Sequence, residues 1–186
     1  MLKVSELKDW KDGINKIVQG DCLELMKKMP DKCIDLVVTS PPYNFDAGSG
    51  IGSKYKELND NRDDYFEWSV QVINELLRVS KLVTYNIQML AGNKIELMQL
   101  LGNFSKQIRE IIIWDKKTSE PAINEKILNS EWEFIILLSQ NGGGRKIEEA
   151  QFERGTKKNI LRISKNSEHQ ENHAACFPKM LESELI

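Results

Sequence analysis

Cysteine is scarce in this chain: Cys22, Cys33 and Cys176 are too few and too scattered for a disulfide framework. No apolar run is long enough to cross a bilayer and no signal peptide is present, so a reduced, cytoplasmic setting is expected. A dominant charge is also lacking, since 26 Lys and Arg face 28 Asp and Glu, for a formal net charge of -2. That balance argues against a generally basic coat for nucleic acid, but it leaves room for a local patch. Metal ligands are few. His169, His173 and Cys176 stand at His-x3-His-x2-Cys spacing, but no fourth ligand joins them at metal spacing, which speaks against zinc. What remains is an ordinary globular composition, 40% hydrophobic and 29% charged over 186 residues, one domain's worth of chain.

The most informative stretch is Ile34-Asp35-Leu36-Val37-Val38-Thr39-Ser40-Pro41-Pro42-Tyr43-Asn44. Leu, Val and Val in succession leave no polar face, so the run reads as a buried strand. The prolines end it, because neither has an N–H for a ladder and each fixes its own backbone angle. Ser40 to Asn44 should therefore stand rigidly at the carboxyl end of a strand, where open α/β sheets place their ligands. The segment offers a fixed backbone carbonyl, a side-chain oxygen and a flat ring. Two neighbouring acceptors can hold an exocyclic amino group by its hydrogens while a tyrosine stacks on the base that carries it. A Pro-Pro turn with a surface tyrosine is the plainer alternative; the strand before it and Asn44 after it favour the functional reading.

The stretch resembles the catalytic motif of DNA amino-methyltransferases, (Asp/Asn/Ser)-Pro-Pro-(Tyr/Phe/Trp), in the group that carries this motif near the amino terminus. The resemblance implies an α/β fold, the Rossmann-like S-adenosylmethionine-dependent methyltransferase fold, circularly permuted and incomplete in this chain. It also implies that Ser40, Pro41, Pro42 and Tyr43 are catalytic and that Asn44 contacts the substrate. Gln19-Gly20-Asp21-Cys22 fits the same pattern, in which Asp21 and the Cys22 N–H hold the adenine edge of S-adenosylmethionine. A plain N-cap role for Asp21 competes with this, and the two are compatible. In the tail, His173-Ala174-Ala175-Cys176-Phe177-Pro178 is similar to the family's His-Pro-x-x-Phe-Pro, which implies cofactor contacts from His173, Phe177 and Pro178. Ala174 replaces the usual proline. Pro178 suits the first turn of a helix, whose free N–H groups can receive the cofactor's carboxylate. Trp132-Glu133 falls where relatives often carry His-Glu near the target base, so Trp132 is a candidate base contact; a partly buried strand aromatic is the safer reading.

The rest of the chain supplies the expected scaffold. Residues 1–13 suggest a short amphipathic turn or helix, 14–18 a strand, 23–29 a helix closed by Pro30, and 63–79 a helix with Phe66, Val70, Ile73 and Leu77 inward. Asp63 or Asp64 can cap that last helix. Strands are expected at 81–87, 108–114 and 133–138, and a helix at 93–101 with Ile95, Met98 and Leu101 inward. Residues 45–62 and 115–131 read as loops, the first as a lid or DNA-contacting loop rather than a glycine-rich cofactor loop, because no helix opens at its end. Residues 144–165 hold seven basic side chains, including Lys157 and Lys158, against three acidic ones, a candidate phosphate-contacting surface. The expected organisation is a catalytic part at 1–140, a short basic segment at 141–168 and the start of a cofactor-pocket helix at 169–186.

Relatives continue beyond the position of Leu185-Ile186 into a strand and Asp-x-Phe-x-Gly-x-Gly, the floor of the cofactor pocket. The resemblance places the strands that would follow between the Gly-Asp strand and the Ser-Pro-Pro-Tyr strand. Two open apolar edges are then expected, an arrangement proteins normally avoid. A partner chain, self-association or an inactive truncated product would follow. The expected function is S-adenosylmethionine-dependent methylation of the exocyclic amine of adenine (N6) or cytosine (N4) in double-stranded DNA, within restriction-modification. The base would be flipped and the methyl transferred directly. A non-catalytic DNA-binding or assembly subunit is the rival, and amino methylation of RNA or of a protein glutamine a third reading.

Overall fold

The computed structural model describes residues 1–44, 60–118, 125–141, 144–148 and 152–164, together with Pro178, Leu181 and Glu184. In chain order the elements are β1 (Leu2–Lys3), β2 (Val18–Gln19), α1 (Cys22–Lys27), β3 (Ile34–Thr39), α2 (Tyr65–Val79), β4 (Ser80–Ile87), α3 (Lys94–Asn103), β5 (Ile108–Asp115), β6 (Trp132–Leu138) and β7 (Ile160–Arg162). Five strands make one mixed sheet in the order β3-β4-β6-β5-β7, and β1 pairs with β2 apart from it. β3 runs parallel to β4, with Val37 opposite Val83 and Thr39 opposite Tyr85. β6 enters between β4 and β5 antiparallel to both, which sets Asn86 opposite Ile135 and Trp114 opposite Glu133.

One face of this sheet carries α2 and α3. Val83, Tyr85, Ile87, Ile136 and Leu138 pack there against Val72, Ile73, Leu76, Leu77, Leu97 and Phe104. On the other face Trp114 and Ile135 pack with Ile163 and Leu181, and the Trp114 indole donates to the Ile163 carbonyl at 2.7 Å. Arg78 near the end of α2 fastens α1 to this frame. Its guanidinium donates to the Met26 and Met29 carbonyls and to the Asp31 and Glu75 carboxylates. Lys32 donates to the carbonyls of Leu77 and Ser80, where α2 gives way directly to β4. The junction needs no glycine because Lys32 and the Ser80 hydroxyl, which donates to the Leu76 carbonyl, satisfy the helix end.

Four expectations are corrected here. The strand expected at 14–18 is confined to Val18–Gln19, and Ile14 and Ile17 are exposed. Asn15 turns the chain with a positive φ and the Lys16 N–H bonds the Gly13 carbonyl, so these residues lie in a turn. β3 is only partly buried. Among the described residues it has a sheet neighbour on one side alone, so its apolar side chains lack the cover that an inner strand receives. In α3 the inward residues are Leu97 and Leu100, continuing to Phe104, while Ile95 is 60% exposed and Met98 48%. Both series obey helical spacing, and Phe104 beyond the helix extends the one that wins. Finally, Asp64 occupies the N-cap position of α2 without a side-chain cap, because its carboxylate is turned to Arg62 at 2.9 Å. Asp21, by contrast, caps α1 as expected, accepting from the N–H groups of Leu23 at 2.8 Å and Glu24 at 3.2 Å.

Candidate active site

At the carboxyl end of β3 the chain turns through Ser40-Pro41-Pro42-Tyr43-Asn44 and is tied down at nearly every residue. The Tyr65 hydroxyl donates to the Pro42 carbonyl at 2.7 Å and the Asn93 amide donates to the Tyr43 carbonyl at 2.8 Å. The Tyr43 N–H donates to the Asp60 carboxylate at 2.7 Å. Asn44 has a φ of 55°. Its amide spans two segments, donating to the Gly92 carbonyl at 2.8 Å and accepting from the Arg62 N–H at 2.7 Å. Ser40 is exposed; Pro41 is buried, and its carbonyl receives no backbone N–H among the described residues.

Behind Ser40 lies a buried polar network. The Ser40 and Tyr43 hydroxyls are 2.9 Å apart. Tyr43 donates to Glu133 Oε2 at 3.1 Å, while the Asn86 amide donates to the Tyr43 hydroxyl at 2.6 Å and to the same carboxylate oxygen at 2.8 Å. Lys116 Nζ lies 3.2 Å from Glu133 Oε1, and the two side chains are 1% and 10% exposed. Strand register explains this convergence. Asn86 stands opposite Ile135, and Trp114 opposite Glu133, so the polar ends of β4, β5 and β6 meet on the sheet face that carries Trp114 and Leu181. Burial, followed by the charge of Glu133, pushes the Tyr43 phenol far above its ordinary range, so it keeps its proton at neutral pH.

The other candidates are spread more widely. Pro41 and Asn44 are buried, Pro42 exposed and Tyr43 half-buried. Asp21 and Cys22 sit exposed at the start of α1, with no direct hydrogen bond or ion pair to Ser40–Asn44 among the described residues. Trp132 is 39% exposed and meets Phe134 edge-on, the ring centres 4.8 Å apart. Pro178 is buried one turn before Leu181, which packs on Trp114 and Ile135. His173 and Phe177 lie outside the described residues. Lys157 and Lys158, with Arg145 and Arg162, line an open cleft of about 440 Å³. Several of these cations are already paired, Lys157 with Glu184 at 2.9 Å, Arg162 with Asp115 at 3.4 Å and Arg145 with Glu110.

Asn86 and Lys116 were not candidates from the sequence, and Glu133 was noted only as the neighbour of Trp132. The available signal was a polar residue at or next to one end of each of three apolar strands, which implies a shared polar end once those strands are adjacent.

Residues 34–186 match the family described as DNA methylase. The chain belongs to that DNA methylase family. Its methylase relatives include the Type II methyltransferase M.BglII of Bacillus subtilis, 40% identical across 38% of this chain and 18% of the relative. The Type II methyltransferase M.SfiI of Streptomyces fimbriatus is 29% identical, covering 66% of this chain and 35% of the relative. The DNA adenine methyltransferase YhdJ of Escherichia coli (strain K12) is 28% identical, over 66% of this chain and 40% of the relative. The chain therefore spans less than half the length of these curated relatives. Among solved structures, the PvuII DNA methyltransferase (cytosine-N4-specific) superposes with a TM-score of 0.60 at 18% identity, covering 89% of this chain and 67% of that one. The methylase fold is thus an α/β fold of the methyltransferase type, shared with sequences that have diverged widely.

Proposed function

We propose that this chain carries the catalytic part of an S-adenosylmethionine-dependent DNA methyltransferase acting on the exocyclic amine of adenine (N6) or cytosine (N4), in a restriction-modification setting. The observation that carries the reading is the exposed Ser40 hydroxyl, 2.9 Å from that of Tyr43, on a turn fastened at Pro42, Tyr43 and Asn44; the Pro41 carbonyl is the second acceptor in this reading. The family match and the Type II methyltransferase relatives support it.

In this reading a flipped base stacks on Tyr43, and the Ser40 and Pro41 oxygens accept its amine hydrogens. Those bonds draw the nitrogen lone pair out of conjugation and aim it. Positioning and charge complementarity then supply most of the acceleration, with no covalent enzyme intermediate. When bound, S-adenosylmethionine supplies the electrophilic methyl group. Asp21 suits its adenine edge chemically, because Oδ1 receives the α1 N–H groups and the second carboxylate oxygen accepts no hydrogen bond among the described residues. We place His173, Phe177 and Pro178 at the methionine end of the cofactor. Trp132 stands near the base and Lys157 and Lys158 at the DNA backbone. Asn44, with both ends of its amide engaged inside the protein, shapes the turn in this reading rather than touching the base. The permuted element order, and a partner chain or second copy pairing with the edge of β3 that has no neighbour among the described residues, belong to the same proposal.

The test uses methyl-labelled S-adenosylmethionine and DNA, with the chain alone and with the protein encoded beside it. Tyr43→Ala is expected to abolish label transfer while DNA is still retained through its backbone contacts. Transfer that persists in this variant would remove the reading. DNA retention without transfer by the wild-type protein in either preparation would favour the non-catalytic subunit.

A further inference from the structure

Counting protons in the buried network gives the hydroxyl of Ser40 a direction. Tyr43 has one hydroxyl proton and two neighbours able to take it, Ser40 Oγ at 2.9 Å and Glu133 Oε2 at 3.1 Å. A carboxylate is the stronger acceptor, since hydrogen bonds to an ionised partner are about twice as strong as neutral ones. The Asn86 amide cannot relieve this competition. Both its hydrogens are committed, one to Tyr43 at 2.6 Å and one to Glu133 at 2.8 Å. Turning the amide over would bring its oxygen against the carboxylate. The orientation holds even though Asn86 Oδ1 is left buried without a partner among the described residues, a sign that the carboxylate dictates it. Lys116, 3.2 Å from the other carboxylate oxygen, provides the counter-charge. With the Tyr43 proton directed to Glu133, the short Ser40–Tyr43 contact is left with only the Ser40 proton to fill it.

We propose that Glu133 is a positioning and specificity residue, which by taking the Tyr43 proton makes Ser40 donate inward and present only lone pairs to the ligand. A site lined by the Ser40 lone pairs and the Pro41 carbonyl accepts hydrogens and offers none. It therefore selects bases with an exocyclic amine and rejects those with a keto oxygen in its place, whose lone pairs would face lone pairs. Glu133 acts through Tyr43 and touches neither base nor methyl donor. The selectivity rests on the function proposed above; the hydroxyl direction does not.

Neutron diffraction from the full chain in heavy water tests the direction itself. The expected result is deuterium on the Tyr43–Glu133 line and on the Ser40–Tyr43 line with Ser40 as donor. A Tyr43 deuterium pointing at Ser40 overturns the proposal. The kinetic arm compares E133Q, Y43F and the double variant. E133Q should lower kcat about 10- to 100-fold, the scale on which outer-shell partners act, with KM for DNA unchanged. Adding it to Y43F should cost no further rate; independent, multiplying losses would overturn the proposal. If E133Q leaves Lys116 too poorly compensated to fold, K116M/E133Q replaces it. A wild-type chain with the expected deuterium positions but no methyl transfer in any preparation would leave the hydroxyl assignment standing and remove the functional reading.

Discussion

Gly92 is where the turn after β3 closes on the rest of the protein. A Cβ at this position would collide with the Asn44 carbonyl oxygen, which is backbone and cannot rotate away. The Gly92 carbonyl also receives the Asn44 amide at 2.8 Å. Gly92→Ala should therefore lower stability by about 1–3 kcal/mol, the usual cost of forcing atoms into a packed site, and should reduce methyl transfer by shifting Tyr43. A denaturant midpoint unchanged from wild type would show that the loop yields freely. At this scale the sequence was only partly legible. Ser40, Tyr43 and Asn44 could be picked out because Pro-Pro interrupts a β-branched run, which is a local event. Gly92 could not, since its role depends on a carbonyl 48 positions earlier coming alongside.

Among the elements, α3 gives the sharpest test. Two apolar series share its helical spacing, and the sheet chose the one containing Leu97 and Leu100 over the one containing Ile95 and Met98. Leu97→Ala should cost about 2–5 kcal/mol because its side chain is fully enclosed. Ile95→Ala, at a position 60% exposed, should stay within about 0.5 kcal/mol. Equal losses in urea unfolding would mean that the helix is rotated from the orientation described. Periodicity found the helix but could not find its buried side, because which stripe faces inward depends on where Tyr85, Ile136 and Leu138 lie. The same limit applied to β3. Its composition predicted a strand correctly, but burial requires neighbours on both sides, and among the described residues β3 has one.

Across the whole molecule, a net charge of -2 leaves little general attraction for DNA, so backbone contacts must be concentrated. The cleft lined by Arg145, Lys157, Lys158 and Arg162 is the place for them in the function proposed here. Lys157 is already committed to Glu184 at 2.9 Å and should matter less than Lys158. Lys158→Gln is expected to reduce the slope of log K against log salt by about 0.9, one phosphate contact, with Lys157→Gln nearer zero. Fluorescence anisotropy over a salt series measures both. Identical slopes for Lys158→Gln and wild type would move the DNA to another surface.

The sequence by itself determined that strands and helices alternate around an apolar core, that a rigid polar turn follows the Ile34–Thr39 strand, and that Asp21 begins a helix. These features follow from short-range constraints, namely side-chain periodicity, proline geometry and capping. Only the tertiary structure decided which stripe of α3 is buried, that β3 lies at the edge of the described sheet, and that Asn86, Lys116 and Glu133 meet behind Tyr43. The reason is the antiparallel entry of β6 between β4 and β5. That placement brings the polar ends of three distant strands to one point, and no pattern within any single strand specifies it.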